Sequence, residues 1–253
     1  MNKLRRQILH SACLAGEGHV PSALSILDIL WVLYDKVLVY KANEPNWEQR
    51  DRFVLSKGHG SLGLYTILAE KGFFDRAELE RVARIDGILG GHPDTNKVPG
   101  VEASTGSLGH GLPIAVGMAL GLQIKQASQR VFALVGDGEC NEGTVWESAL
   151  LAHHHRLVNL CCIVDFNHST DRALMLGDVK NKFEAFGWHC VEVDGHDHAA
   201  LQASFLSRDE TRPTAVIAHT TKGKGVSGME NNPAWHHRSP SRDELASFER
   251  ELT

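Results

Sequence analysis

The sequence predicts an α/β fold, in which one parallel sheet carries helices on both faces. Four short apolar runs of strand length alternate with segments of helical pattern, and the runs lie at 131–135, 160–165, 190–193 and 214–218. Strands that are apolar throughout are typical of a sheet covered on both sides. The chain of 253 residues contains no internal repeat and no long polar linker. We therefore expect a single domain over residues 1–253.

Helical patterns complete the alternation. The main stretches lie at 1–15, 22–34, 62–70, 112–125, 141–155 and about 198–207. Residues 51–56 lead into a glycine-rich turn at 57–60. The stretch 112–125 is apolar on nearly every side, which predicts a buried helix. Asp197 is the expected N-cap of the last of these helices.

Composition excludes several classes of protein. The 26 Lys and Arg residues are scattered and outnumbered by 31 Asp and Glu residues, so a nucleic-acid partner is not expected. The N-terminus lacks the apolar region of a signal peptide, and no apolar run is long enough to span a membrane. Five cysteines without a CxxC pair indicate reduced thiols and a cytoplasmic protein.

Polar residues follow two of the predicted strands. The strand at 131–135 runs into Gly136, Asp137 and Gly138, and the next strand ends just before Asn167. Ligands of parallel sheets bind at the carboxyl ends of the strands, and adjacent strands would bring Asp137 and Asn167 to the same edge. Oxygen ligands of this kind suit Mg²⁺ bound with a diphosphate. Taken alone, the Asp-Gly pair is equally consistent with a tight turn.

Longer motifs resemble one enzyme family. The segments DRFVLSKGHG at 51–60, PGVEASTGSLGHG at 99–111 and GECNEG at 138–143 are similar to transketolase segments. The segments TKGKG at 221–225 and ENNPAWH at 230–236 resemble the end of the same module in two-component bacterial transketolases. The resemblance extends in order from about His19 to Pro240. It implies the thiamine-diphosphate-binding fold of the diphosphate-binding (PP) module.

The resemblance also implies a site. The cofactors would be thiamine diphosphate and Mg²⁺, or Ca²⁺ or Mn²⁺ in place of Mg²⁺. The implied metal ligands are Asp137, Asn167 and the main-chain carbonyl of Ser169. The implied cofactor contacts are His59, Gly106, Ser107, Leu108, Gly136, Gly138, Asn167 and His236. The implied catalytic residues are His19, His59, His92, His236 and Glu142, of which Glu142 would bridge two active sites across a dimer.

Other histidines and three departures from the family pattern leave alternatives open. His153, His154 and His155 are consecutive and point in different directions, so we interpret them as structural. His196 and His198 are compatible with a metal site or with an ordinary loop before a helix. The proline after His19 is shifted by one position, and the loop 168–172 differs from the family ending. His237 occupies a position where glycine usually follows the active-site histidine, although position favours His236 as the functional one.

A full transketolase carries a second module, which holds the aminopyrimidine ring and supplies a glutamate to it. This chain lacks that module, so the resemblance implies an α2β2 assembly with a separate C-terminal partner subunit. The implied reaction is transfer of a two-carbon ketol unit between sugar or sugar phosphate substrates. Two alternatives are another thiamine-diphosphate-dependent ketol or acyl transferase, and a non-catalytic module that only binds the cofactor.

Overall fold

The computed structural model describes residues 1–171 and 173–253, so Arg172 in the loop 168–172 lies outside the described residues. Five strands form one sheet in which every neighbouring pair is parallel, in the order β1-β2-β3-β5-β4. The strands are β1 (Arg52–Leu55), β2 (Val131–Gly136), β3 (Leu160–Phe166), β4 (His189–Asp194) and β5 (Thr214–His219). The predicted parallel sheet is confirmed. The structure adds β1, for which the sequence predicted only the approach to a turn.

Helices lie on both faces of this sheet. Their bounds are α1 (Asn2–Ala15), α2 (Val20–Val32), α3 (Ser61–Glu70), α4 (Gly111–Ile124), α5 (Gly143–His154), α6 (Val179–Ala185), α7 (His198–Leu206) and α8 (Arg242–Glu251). A π-helical turn, Leu33–Val37, extends α2. The side chain of Asp197 accepts hydrogen bonds from the N–H groups of Ala199 and Ala200, which confirms the predicted N-cap of α7.

Two separate cores result from the alternation of side chains along the strands. Phe132 and Leu134 of β2 pack with α1, α2, α3 and α7 on one face. Ala133 and Val135 pack with α4, α5 and α6 on the other. The five cysteines are free. Among residues 1–171 and 173–253, no helix combines the length and the apolar character needed to cross a membrane.

The helix α4 differs from its prediction. Its inner side is buried at Leu112, Ala115 and Ala119, but Ile114 and Ile124 are 38% and 74% exposed. A side chain placed at Gly117 or Gly121 would meet no atom within 4 Å. The expectation of a fully buried helix is therefore wrong for the isolated chain, because one apolar side of α4 has no described element of this chain over it.

The carboxyl ends of the strands converge on one edge. In the register of β2 with β3, Gly136 pairs with Asp165, so Asp137 and Asn167 follow neighbouring strand ends. The strand β1 ends at Leu55 on the same edge and leads into a short 3₁₀ turn, Gly58–Gly60. The sheet thus brings the aspartate, the asparagine and His59 to one place.

Candidate active site at the carboxyl edge of the sheet

Asp137 occupies the centre of this edge. Its side chain is 2% exposed. One carboxylate oxygen accepts the N–H of Gly138 at 2.7 Å, and the other accepts the N–H of Ser169 at 2.9 Å. The turn after β2 and the loop after β3 are therefore joined through this carboxylate, as expected for neighbouring strand ends.

Asn167 is oriented by the buried carboxylate of Asp165. The amide nitrogen of Asn167 donates to Asp165 Oδ2 at 2.9 Å. Because that carboxylate can only accept, the amide oxygen of Asn167 must point the other way, where it accepts the N–H of Ser169 at 3.1 Å. Asp137 and Asn167 therefore both direct an oxygen at the N–H of Ser169, and the cation site expected at these residues stays a prediction.

Ser169 joins this group through a different atom from the one expected. Its N–H, and not its carbonyl, faces Asp137 and Asn167, and the role of the carbonyl stays a prediction. Among the described residues, no three His, Cys, Asp or Glu side chains converge as a metal site. A cation here would depend on amide, main-chain and phosphate oxygens, which is how Mg²⁺ is commonly bound.

The carboxylate of Asp137 and the ammonium of Lys222 are only partly neutralised by their surroundings. Burial and the neighbouring charge of Asp165 raise the pKa of Asp137. Burial and the positive charge of Lys57 lower the pKa of Lys222 to about 8. Lys222 and Asn167 line the same cleft of about 320 Å³. A cation near Asp137 and an anion near Lys222 would each relieve one of these costs.

Four histidine rings gather beside that cleft. The ring centroid of His19 lies 5.2 Å from that of His59, 5.3 Å from that of His236 and 4.5 Å from that of His237. His236 also lines the cleft with Lys222, and its Nδ1 lies 3.3 Å from the lysine Nζ. The structure therefore brings His19, His59 and His236 together as predicted. His236 is a lining residue of the cleft and His237 is not, which favours His236 as the functional histidine.

The partners of two rings define their tautomers. The Nδ1 of His19 lies 2.9 Å from the carbonyl oxygen of His236, which can only accept, so this Nδ1 carries the proton. The Nε2 of His19 is then a free acceptor. The Nδ1 of His236 faces the Lys222 ammonium, which donates, so the Nε2 of His236 carries the proton. The Nε2 of His19 is therefore an acceptor, and the Nε2 of His236, a ring that lines the cleft, is a donor.

These rings are held in the neutral form. Burial lowers the pKa of His19 to about 4, and the neighbouring His237 and His236 contribute in the same direction. Burial and the charge of Lys57 lower the pKa of His59 to about 2. Burial and Lys222 also lower the pKa of His236. Near pH 7 these rings are therefore neutral, and each has one donor and one acceptor nitrogen.

The remaining predicted residues border the same site from the β1 side. A Cβ on Gly106 would lie 3.2 Å from the ring of His92. A Cβ on Gly58 would lie 2.8 Å from the nitrogen of Gly106, so these two turns approach as closely as glycine allows. Ser107 is exposed and Leu108 is half-buried in the same loop. Gly136 lies against the side chain of Lys57, and Gly138 lies against Thr170.

Glu142 lies apart from the histidines. It is exposed and sits at the start of α5, next to Gly109. The buried glutamate of this segment is Glu139, which accepts hydrogen bonds from Ser56, from the N–H of Gly109 and from the N–H of Gly136. The structure therefore assigns to Glu139 the task of holding the glycine loop against β2, which sequence reasoning did not foresee.

Two lysines of the site were also missed. Lys57 is 1% exposed and its Nζ lies 2.5 Å from Asp165 Oδ2. Lys222 entered the sequence analysis only as part of the motif at 221–225. A buried lysine carries no local signal of its own, although Lys57 directly precedes Gly58 and His59, and Lys222 stands in a glycine-rich segment.

A family model described as "Transketolase, thiamine diphosphate binding domain" matches residues 1–253. This chain belongs to the transketolase family. Among solved structures, the transketolase of Campylobacter jejuni superimposes with a TM-score of 0.91 at 30% identity, over 99% of this chain and 42% of that one. The diphosphate-binding fold predicted from the sequence is thereby confirmed.

Transketolase relatives fall into two lengths. The chain is 37% identical to one of the subunits of the apulose-4-phosphate transketolase of Phocaeicola vulgatus, over 99% of this chain and 92% of that protein. It is 37% identical to the 6-deoxy-6-sulfo-D-fructose transketolase subunit SqwG of a Clostridium species, over 93% of this chain and 88% of that protein. Against human transketolase, the identity is 41% but the match spans only 38% of that protein.

The residues present fit thiamine diphosphate in its metal-bound form. The hydroxyl of Ser22 is fully buried and has no hydrogen-bond partner, although its neighbouring carbonyl faces Lys57. Asp137 and Asn167 offer oxygens to a cation, while Lys222 offers a positive charge on the same cleft. Incompletely neutralised groups of both signs suit a ligand that carries a cation together with an anion.

We expect the rings of His19 and His59 to remain uncharged throughout the range from pH 5.5 to 8.0, because their pKa values lie at about 4 and about 2. The ring proton resonances should therefore not shift in an NMR titration over this range. The variants His19→Asn and His59→Asn assign the two resonances. A titration midpoint above pH 5.5 for either ring would show that solvent reaches the ring and that burial does not lower its pKa to this extent.

Proposed function

We propose that this chain is the diphosphate-binding subunit of a thiamine-diphosphate-dependent transketolase that acts with a separate C-terminal subunit. The reaction is transfer of a two-carbon ketol unit between sugar or sugar phosphate substrates. The observation that carries the proposal is the single edge at which Asp137, Asn167 and Lys222 meet the histidine cluster. The high coverage of the two subunit relatives, against 38% of human transketolase, supports a two-subunit enzyme.

The diphosphate would be held between a cation and a lysine. Asp137 and Asn167 supply cation ligands, with Mg²⁺ as the proposed ion. Lys222, which lines the same cleft as Asn167, would face the phosphate oxygens. When bound, thiamine diphosphate supplies the carbon nucleophile of the reaction.

The histidines would act on the sugar. His19 presents an unprotonated Nε2, so it accepts a proton from a substrate hydroxyl, while His236 presents a donor. His59, whose ring lies 5.2 Å from that of His19, and His92 would act near the reacting carbon. Because both rings are neutral before the substrate binds, His19 has a free acceptor nitrogen and His236 has an N–H to donate. The two subunit relatives are named for a phosphorylated and a sulfonated sugar, which supports an anionic sugar as substrate.

The uncovered side of α4 supports an assembly. Ile114 and Ile124 on α4 continue into Leu150 and Leu151 on α5, which are 58% and 45% exposed, and the two helices pack side by side. Apolar surface of this kind marks a protein interface. Glu142 begins α5 at this face. We propose that a second copy of this chain covers it, within an α2β2 enzyme in the cytoplasm, where the five free thiols stay reduced.

Calorimetric titration with thiamine diphosphate and Mg²⁺ tests the cofactor assignment. We expect tight binding when the C-terminal subunit is present and weak binding to this chain alone, because the partner holds half of the cofactor's contacts. Asp137→Asn should weaken binding by about 100-fold, since loss even of a residue behind a metal ligand costs about 10-fold or more. Asp209→Asn, in the loop before β5, is the matched control. Equal affinity of both variants and the wild type would refute the site.

The affinity for thiamine diphosphate should fall as pH rises through about 8. In the free protein, Lys222 loses its proton there, so above this pH a proton must be taken up on binding. The apparent dissociation constant should then rise up to about tenfold per pH unit. Lys222→Arg, which stays charged, should bind with a constant that is flat over the same range. A flat profile for the wild type would exclude Lys222 from the diphosphate site.

The double variant Ile124→Glu with Leu150→Glu tests the proposed contact between copies. Burying two unpaired carboxylates costs several kcal/mol, so sedimentation of the complete enzyme should show loss of the larger assembly at micromolar concentration. Leu206→Glu, on the opposite face of the sheet and 53% exposed, is the matched control. An unchanged sedimentation coefficient for the double variant would place the interface elsewhere.

A further inference from the structure

A buried carboxylate lies behind the loop that carries Lys222. Asp28 of α2 is 2% exposed. Its Oδ2 accepts from Arg5 at 2.6 Å and from Nδ1 of His196 at 3.0 Å, while its Oδ1 accepts from Nε2 of His198 at 2.9 Å. The two histidines left open by the sequence thus pair with one carboxylate. No cluster suited to a metal is found there among the described residues.

His196 connects Asp28 to the loop through a second hydrogen bond. Its Nε2 accepts the main-chain N–H of Thr221 at 2.9 Å. A ring nitrogen that accepts an N–H carries no proton, so His196 is neutral and its proton sits on Nδ1, facing Asp28. The carboxylate therefore selects the tautomer that can hold Thr221, the residue just before Lys222.

Arg5 holds the other side of the same loop. Its Nε donates to the carbonyl oxygen of Lys224 at 3.2 Å, while its other end is bonded to Asp28. Gly225 has a φ of +91°, and a Cβ there would lie 2.8 Å from the side chain of Arg5. The main chain is therefore fixed on both sides of Lys222, at Thr221 and at Lys224, by groups that share one carboxylate.

We propose that Asp28 and His196 are positioning residues, which fix the loop from Thr221 to Gly225 so that Lys222 faces the diphosphate. Neither side chain reaches the cleft itself. Their effect passes through the hydrogen bond from the Thr221 N–H to His196, and Lys222 then lies 3.3 Å from Nδ1 of His236. The inference rests on the proposed function only in naming the diphosphate as the group that Lys222 meets.

Two substitutions of His196 separate its two contacts. His196→Asn places an amide N–H near the position of Nδ1, which keeps the bond to Asp28 and removes the acceptor for Thr221. His196→Gln places an amide oxygen near the position of Nε2, which keeps the acceptor. His198→Asn is the control, because His198 bonds Asp28 and, among the described residues, makes no hydrogen bond to the loop.

Two readouts are measured on the full chain with its partner subunit. In hydrogen exchange by mass spectrometry, the peptide covering 219–226 should exchange at least about tenfold faster in His196→Asn than in His198→Asn, because the N–H of Thr221 loses its acceptor. The dissociation constant for thiamine diphosphate with Mg²⁺ should rise about tenfold in His196→Asn. His196→Gln should stay within about threefold of the wild type in both.

Equal exchange of the 219–226 peptide in His196→Asn and His198→Asn would overturn the inference, as would faster exchange without a change in cofactor affinity. A general loss of protection across all peptides would also overturn it, because His196 would then serve the fold and not the loop. If the wild type binds no thiamine diphosphate, the proposed function fails. The exchange comparison still decides whether His196 holds Thr221.

Discussion

The carboxylate of Asp165, at the end of the central strand β3, is the contact on which the rest of the site depends. It is fully buried, and its oxygens accept from Lys57 at 2.5 Å, from Ser25 at 2.8 Å, from Asn167 at 2.9 Å and from Thr220. Burial alone would raise the pKa of this carboxyl, but the Lys57 charge and the hydrogen bonds from Lys57, Thr220 and Ser25 together outweigh burial and lower the pKa. A single ionised group thus joins α2, the turn after β1, and the ends of β3 and β5.

The pairing of Lys57 with Asp165 leaves this edge of the sheet suited to a ligand that carries both positive and negative charge. Lys57 is used to neutralise Asp165, so it does little for Asp137, whose pKa remains raised. The same lysine repels the ammonium of Lys222. In the proposed function, a cation bound to a diphosphate would place positive charge near Asp137 and negative charge near Lys222, and would thus balance both. The unbalanced charges of the free protein therefore match the charges of a metal-bound diphosphate.

Features with a local cause could be predicted from the sequence. The strand β2 and its glycine turn are continuous in the chain, and Asn167 lies one crossover later, so the neighbouring strand ends followed from spacing alone. The contacts of Asp165 with Lys57, and of His196 with Asp28, join residues 108 and 168 positions apart. Such pairs leave no periodic pattern in a single sequence. The strand β1 was missed for a related reason, since four residues before a glycine turn give too short a pattern to assign.

The prediction that α4 is fully buried was wrong for a physical reason that does not apply to the contacts the sequence failed to predict. An all-round apolar pattern reports that a helix is buried in the functional molecule, and it does not report which chain buries it. In this chain, Ile114 and Ile124 on one side of α4, and Leu150 and Leu151 on the neighbouring helix α5, are exposed. Glu142 is the N-cap of α5. The cleft lined by His236 lies at the carboxyl edge of the sheet. Under the proposed function, a ligand would complete the edge of the sheet at Asp137, and a neighbouring chain would cover the exposed side of α4.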